Sequence, residues 1–496
     1  MSLPNLLSLN FLVPFAAGKI DFSRAIRGLR GMPRRLLLVG HKATAGSLAV
    51  NTITTVSTEA DAIDRFGEGS MLVQMWRAAK ANTDLGLPID CIAIAEGNLA
   101  VPATSLVAVT NAGANLSMPG EVMLYIGGQR ISVGVTTSDT AQTVAAKLVA
   151  VVNAQPKLPV TAAATANLNE VKLTCRWGGP TGNDVDVRST YYWDDRLPNG
   201  LTIATPKMAT GAVVPDVSPV IVAMNLYRAT EIVCPFIDSP NLNILETELA
   251  ARWEANNMQD AAVVNCVRGT EAEITTFLAG RNSPHVHTIT VTKDMTNPWE
   301  TAAMAGAAIE SLAAIDPALP QTDVVLQGYL GPRQGDHWQV PQLNNMLAMG
   351  GSPLQIAQDS TGSLLRMVTN YTMNRAGAPD RSMAELCWIK TMSYYRWFVI
   401  TEFMTKYRGY KIAEYVTEPI PGQDKIMTKE LGEEIMLGIY DLMMQAGLVQ
   451  NLQYYKEVLL VEVDGPNGKL KIREEPVIIT QHYQTEVTSY PVAGHV

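Results

Sequence analysis

Charge is the first thing this sequence is short of. Only 17% of its 496 residues are Asp, Glu, Lys or Arg, against 47% hydrophobic, which places it at the apolar end of soluble proteins and points to a surface partly covered by other subunits. What charge there is leans acidic, net -9, and no Lys/Arg-rich run occurs. Direct binding of nucleic acid is therefore not expected, because nothing is present to neutralise a row of phosphates. Cysteine is scarce as well. Cys91, Cys175, Cys234, Cys266 and Cys387 are odd in number, far apart and mostly set in apolar runs, the pattern of reduced, buried thiols and not of a disulfide scaffold. No apolar stretch is long enough to span a membrane without a charge or a breaker, so no membrane insertion is expected. The segment from Met1 to Ile20 is apolar but has no basic leading region and is broken by Pro4, Pro14 and Gly18, a poor fit to a secretory signal.

Motifs for chemistry are missing too. The stretch Gly178-Gly179-Pro180-Thr181-Gly182-Asn183-Asp184 comes nearest to a phosphate loop, but no Lys-Ser/Thr follows its last glycine and Pro180 removes an amide donor, so a tight turn is the better reading. His285 and His287 would share one face of a strand, yet no Cys or carboxylate pair nearby completes a metal set; edge-strand histidines are expected instead. Asp336-His337-Trp338 has no Gly-x-Ser-x-Gly nucleophile turn to serve and reads as a capped turn before a helix. Tyr394, Tyr395, Trp397 and Phe398 around Arg396 recur at helical spacing and read as core, not as a base-stacking platform. No cofactor, no metal and no catalysis are expected.

What is there is an α/β rhythm in two pieces. Leu36 to Gly40 reads as a strand, followed by helices over Ala60 to Phe66 and Met71 to Ala81 and a strand from Cys91 to Ala95. Between about Leu99 and Ala212 the texture turns to Thr, Val, Ala and Gly. Val122 to Val133 there reads as a hairpin about Gly127-Gly128, Ser138-Asp139-Thr140 caps a helix reaching Val152, and Val171 to Cys175 is a strand. After Val217 the rhythm resumes, with helices near Val220 to Tyr227, Asn241 to Asn256, Glu271 to Ala279 and Trp299 to Ala314. Strands alternate with them at Glu231 to Phe236, Ala261 to Val267 and His287 to Thr292. A helix from Met383 to Tyr407 is apolar nearly all round. Another, Thr428 to Ala446, is ended by Gly447 and carries Lys429, Glu430, Glu433, Glu434 and Asp441 on its polar side, a solvated or partner-facing surface. The chain begins and ends in strands: Leu9 to Phe15, then Glu457 to Val463, Lys469 to Ile472 and Pro476 to Thr480.

The order of these features resembles the tail sheath proteins of contractile bacteriophages, the Mu-like ones in particular. The likeness is carried by Leu36 to Gly40, Gly178 to Asn183, Asp316-Pro317-Ala318-Leu319-Pro320-Gln321 before Leu326-Gln327-Gly328-Tyr329, Gly350-Gly351-Ser352-Pro353-Leu354 and Tyr394-Tyr395-Arg396-Trp397. The resemblance implies an α/β (α+β) fold, a split α/β core with an inserted β-rich α+β domain and extended terminal β-strand arms. The expected division is 1–20 arm, 21–98 core, 99–212 insertion, 213–475 core with a C-terminal sheet, and 476–496 arm.

It also implies a structural subunit and not an enzyme. Copies would polymerise as stacked hexameric rings around a tail tube, then contract to drive the tube through the host envelope. The implied partners are the chain itself, the tube protein, and baseplate and tail terminator proteins, in a virion assembled in the host bacterial cytoplasm. Sheaths of this kind lend terminal strands to a sheet of a neighbour, which fits bare apolar strands that cannot stay unpaired. Leu9, Phe11, Val13 and Phe15 at one end and Val477, Ile478 and Ile479 at the other are the lending residues. Val458, Leu460, Leu470 and Ile472 are the expected receiving ones, and the charged side of Thr428 to Ala446 is the candidate for facing the tube, because it suits a polar, reversible contact. A sheath from a pyocin-like or other contractile injection particle is the alternative; an α/β enzyme and a capsid or adhesin-type shell protein stand further off.

Overall fold

The computed structural model describes residues 29–83, 86–113, 115–414 and 425–490. They form two compact units, one of residues 32–409 with the segment after 475, the other of residues 29–31 with 410–475. The first closes at Gly409, ahead of the boundary at 475 expected from sequence.

In the first unit the elements are β1 (Leu36–His41), β2 (Ile53–Thr55), α1 (Glu59–Phe66), α2 (Met71–Ala81) and β3 (Ile89–Ile94), followed by β4 (Pro102–Asn111), β5 (Gly120–Ile126), β6 (Gln129–Val135) and α3 (Ala141–Asn153). Then come β7 (Val160–Ala164), β8 (Glu170–Gly178), β9 (Val187–Arg188), β10 (Leu201–Ala204), α4 (Ser218–Ala223), β11 (Glu231–Val233), α5 (Ser239–Trp253), β12 (Ala262–Arg268) and α6 (Glu271–Ala279). The unit continues with β13 (Val286–Val291), α7 (Pro298–Ile315), α8 (Val340–Ala348), β14 (Gly351–Ile356), β15 (Gly362–Leu364) and α9 (Leu386–Lys406).

Eight strands make the main sheet in the order β15-β14-β13-β12-β11-β1-β3-β2. From β14 to β3 the neighbours are parallel, and the two edge strands run antiparallel. Strands β1, β3 and β13 are buried at every residue, as a parallel sheet covered on both faces requires. Leu36, Leu38, Val233 and Val264 pack with residues of α2 and α7 on one face, while Leu37, Val39, Ile232 and Val263 pack with Leu242, Leu245 and Leu249 of α5 on the other. Helix α9 crosses the amino ends of the strands, where Lys390 meets Glu231 at the start of β11 and Arg396 meets Asp260 just before β12.

Residues 102–204 form two smaller sheets, β10-β4-β8-β7 and β6-β5-β9, with α3 beside them. The β5–β6 hairpin turns on Gly127 and Gly128, both at positive φ (53° and 78°), the two-residue turn that only such a pair accepts without strain. Hydrophobic side chains of these sheets, Val122, Leu124, Val171 and Trp177 among them, belong to the same buried cluster as Leu36 and Trp299. The chain crosses into and out of this region on paired backbone: Val101 and Ala212 exchange two hydrogen bonds of 3.1 Å, and Thr104 and Ala209 two more.

In the second unit a short parallel pair, β16 (Lys411–Ile412) and β17 (Ile426–Met427), precedes α10 (Lys429–Gln445), α11 (Leu452–Val458) and the antiparallel hairpin β18 (Leu460–Asp464) and β19 (Lys469–Arg473). Three sequence expectations are corrected. Val458 ends a helix and is not in a strand: Asn451 caps α11 by accepting from the Tyr454 amide, and Tyr455 stacks on Tyr440 with centroids 3.7 Å apart, which fixes the turn as helical despite the β-branched run that follows. His287 is on an interior strand with no exposed surface, not on an edge. Helix α9 is enclosed only along its first four turns, since Ile400 and Met404 stand 40% and 55% exposed.

Candidate assembly interface

The hairpin β18–β19 is the residue set that sequence nominates as a receiving sheet. Its strands pair over five positions, Leu460 with Arg473 through Asp464 with Lys469. Partners directly opposite share a face, so Val461, Val463, Leu470 and Ile472 form one apolar side and Leu460, Glu462, Lys469, Lys471 and Arg473 the other. Helix α10 covers the apolar side. Gly432 lies so close that a Cβ there would meet Val461 at 3.0 Å and Leu470 at 3.3 Å, a tight approach that a larger residue could keep only if those side chains shifted. Leu460 is on the uncovered side, 46% exposed. Among the described residues this sheet has two strands only.

Helix α10 opens on Thr428, whose hydroxyl accepts from the Leu431 amide. Its buried side is Ile435, Met436, Ile439, Tyr440 and Met443. On the other side Lys429, Glu430 and Glu434 are exposed and Glu433 and Asp441 partly so, with Lys429 3.7 Å from Glu433. The Glu430 carboxyl is held below its usual range by its own backbone amide and by Thr428, as a carboxylate in the first turn of a helix should be. Leu9, Phe11, Val13 and Phe15 lie outside the described residues.

At the other end Val477 and Ile478 are extended and, with Ile479, half-buried. The chain is pinned just beyond them to the larger unit: Trp388 donates to Gln481 (2.8 Å), Gln481 donates to the Ala318 carbonyl (2.9 Å), and the Tyr483 hydroxyl donates to Glu385 (3.1 Å) under the Arg366 guanidinium. Residues 484–490 are exposed, Val487 and Tyr490 strongly so.

A doubly wound sheet usually binds ligands outside the carboxyl ends of its strands, where the winding reverses. Here that place, at the ends of β1 and β11, is filled by the protein itself. His41 packs edge-on to Phe236 at 5.3 Å and stacks on Trp177, which in turn meets Trp299 at 5.4 Å, and none of the four is more than 4% exposed. Burial holds His41 neutral, its pKa down to about 4. Gly178 to Asp184 is a strand end and a short 3-10 turn, with Trp177 donating to Thr181. No group of three or more metal-ligating side chains occurs among the described residues, and no helix there is long and apolar enough to cross a membrane.

One cluster escapes the sequence reading. At the amino ends of β11 and β13, Lys390 from α9 lies between Glu231 and Glu310, Arg34 reaches Glu310 at 3.2 Å, and the Thr230 hydroxyl donates to Glu310 at 2.8 Å. His287 is 3.2 Å from Glu231, all within the interior. Burial pushes the Glu231 carboxyl up, to about 7. Burial also works against Glu310, but the Lys390 ammonium and Arg34 guanidinium outweigh it and hold that carboxyl low. His287 is kept neutral, its pKa near 3, by burial and by Lys390. The signal was a single charge inside each of several apolar runs; which of them meet is a matter of topology.

Over 456 residues, 92% of each chain, the sequence is 32% identical to the Mu-like prophage FluMu tail sheath protein of Haemophilus influenzae. The chain belongs to the Mu-like tail sheath family. No protein-family model matches it. Among solved structures, a chain in the cryo-EM structure of the anti-feeding prophage baseplate shares the fold at a TM-score of 0.50 and 9% identity, over 97% of this chain and 100% of that one. A sheath tail protein from Desulfitobacterium hafniense aligns over 93% of this chain and 100% of its own, at a TM-score of 0.46 and 11% identity. As a member of a tail sheath family it is a structural component and not an enzyme.

Proposed function

We propose that this sheath protein is the repeating subunit of a contractile tail: copies stack as hexameric rings around a tail tube, and the assembly contracts to drive the tube through a host envelope. The observation that supports this most is the relationship over 92% of both chains to a tail sheath protein. The physical means is strand addition. The β18–β19 hairpin would receive an added strand, and a neighbour's Leu9 to Phe15 or Val477 to Thr480 segment would be the one that is lent. Non-closing contacts between identical copies generate a helical polymer. The charged side of α10 makes a polar, reversible contact with the tube, and baseplate and terminator proteins close the two ends in the virion. A gain of about 1–3 kcal/mol at each copy, the usual scale of coupling between sites, sums over hundreds of copies into a large driving force.

A second reading, the sheath of another contractile injection particle, is favoured by the fold shared with the anti-feeding prophage chain; it keeps the polymer and changes the cargo. Negative-stain electron microscopy of the purified chain beside a version lacking residues 1–20 tests the proposal. Hollow cylinders from the full chain and monomers from the shortened one are expected. Cylinders from both remove the amino-terminal strand as the essential link, and a full chain that stays monomeric at high concentration removes unaided self-assembly by strand addition and leaves a partner-dependent sheath.

A further inference from the structure

The chain leaves the larger unit at Gly409 and returns to it after Glu475, and the return is fastened within a few residues. Gln481 and Tyr483 are two apart in extended backbone, so their side chains project to one side. Both are half-buried, while His482 between them is exposed. The Gln481 amide is bonded at both ends: its oxygen accepts from the Trp388 indole of α9 at 2.8 Å, and its nitrogen donates to the carbonyl of Ala318, three residues past α7, at 2.9 Å. The Tyr483 ring centre lies 4.2 Å from the Arg366 guanidinium, and its hydroxyl donates to Glu385 at 3.1 Å. Arg366 pairs with the same carboxylate, which directly precedes α9. That helix is itself held to the sheet through Lys390 and Arg396. A cation on a ring, a charge-assisted hydrogen bond and a doubly bonded amide thus meet on two residues and form a clasp.

Beyond the clasp the chain changes character. Gln484 to Tyr490 is exposed at every residue and belongs to no strand among the described residues, yet Thr485, Val487, Thr488 and Tyr490 are strand formers. Before the clasp, Val477 to Ile479 is half-buried. The segment after 475 is therefore divided into a held part and a bare part. Without the clasp the bare part would start at Pro476, eight residues earlier, and would reach about 26 Å further. A shorter free length from a fixed origin keeps the effective concentration at a neighbour's site high and leaves less chain entropy to lose on binding.

We propose that Gln481 and Tyr483 anchor the carboxy-terminal arm to its own copy, and that the strand offered to a second copy at this end of the chain begins at Gln484. The inference rests on the strand-addition reading of the sheath and moves the lent segment past Val477 to Thr480, which the clasp keeps at home. A bare segment of strand formers needs a sheet edge to satisfy its amides, and in a polymer of identical copies a neighbour supplies one.

Thermolysin, which cuts before apolar residues, reads both halves of the proposal on the full chain. In the unassembled wild type it is expected to cut before Val487 at least about tenfold faster than before Val477, Ile478 or Ile479, since only the clasped sites must first open. Gln481→Ala combined with Tyr483→Ala should bring the two rates within about twofold of each other. Tyr483→Phe, which keeps the ring under Arg366 and gives up only the bond to Glu385, should fall between. In wild-type cylinders the cut before Val487 should slow at least about tenfold, as binding closes the site. The double variant should need about two- to threefold more protein to form cylinders, its free length having grown by eight residues. Equal rates before Val477 and Val487 in the free wild-type chain overturn the clasp. A cut before Val487 as fast in cylinders as in the free chain overturns the contact with a second copy and leaves the sheath reading standing. If the wild type forms no cylinders, unaided strand addition and that contact fall together, and the rates in the free chain still decide the clasp.

Discussion

The parallel sheet of residues 32–409 and the hairpin of residues 410–475 treat their strand edges in opposite ways. The large sheet ends on β2 and β15, three residues each and antiparallel to their neighbours, and β15 is further tied by a bridge from Ser363 to Val325. Such short, covered edges leave little for another chain to join. The hairpin has five-residue strands, one face covered by α10, and a second face studded with Lys469, Lys471 and Arg473. Charges of this kind deter indiscriminate pairing while leaving the backbone competent for a specific strand. The polar content differs in the same sense. In the larger unit charge is taken inside and paired around Lys390, and in the smaller one it stays on the surface. A fold can therefore be closed as a body and open as a building block, provided the two tasks fall on different segments.

Breaking the closed side should have the largest effect. Lys390→Met removes the cation that Glu231 and Glu310 share and leaves Arg34 on Glu310 alone, and unfolding by urea should show a loss of about 3–5 kcal/mol, the cost of stranding buried charge; a loss below about 1 kcal/mol would mean the cluster is not what holds α9 to the sheet. A smaller effect concerns pH. The folded pKa of Glu231 lies above its unfolded value, so its contribution is complete below about 4.5 and is lost as pH rises through about 7. Glu310 has the opposite sign and loses its contribution as pH falls below 4.5. Urea midpoints measured from pH 4.5 to 8 should decline more steeply for the wild type than for Glu231→Gln, and equal slopes would remove Glu231 as the source.

On the open side, Gly432→Val pushes α10 off Val461 and Leu470 and should cost about 1–3 kcal/mol by overpacking. Circular dichroism melts should show it, and a second transition would appear if the smaller unit melts alone. The smallest effect has the opposite sign. Val213 sits at φ 68° beside the paired backbone of Val101 and Ala212, a conformation a β-branched residue adopts only under strain. Val213→Gly should raise stability by up to about 1 kcal/mol, read as an increase in melting temperature; a decrease would show that the Val213 side chain contributes more by packing than its backbone costs.

Much of the fold was legible because its signals are local. Helices α2 and α6 match the expected limits residue for residue, each opened by a side-chain cap, Ser70 in one and the Thr270–Glu273 box in the other. The strands β1, β3, β12 and β13 were visible as short apolar runs because a parallel sheet buries both faces. Strand β4 was not, because Pro102 opens it and Thr104 and Ser105 interrupt its apolar residues, and its limits are set by pairing with β8 and β10. The candidate interface divides in the same way. The charged side of α10 and the β19 strand could be read from periodicity, while Val458 could not, since its helix is decided by the Tyr440–Tyr455 stack across two elements.

By itself, then, the sequence determined what depends on neighbours within a few residues: caps, turns such as Gly127-Gly128, the period of each helix and strand, five thiols meant for burial, and the order of segments that marks a sheath. Only the tertiary structure decided what depends on residues far apart in the chain. Arg34 and Glu310 are 276 positions from each other, and nothing local announces that they meet, or that Trp177 would fill the crevice beside His41. Local signals are set by short-range sterics and hydrogen bonding, whereas a buried charge or a filled crevice is fixed by which distant surfaces pack, and desolvation makes that choice only once the whole sheet has closed.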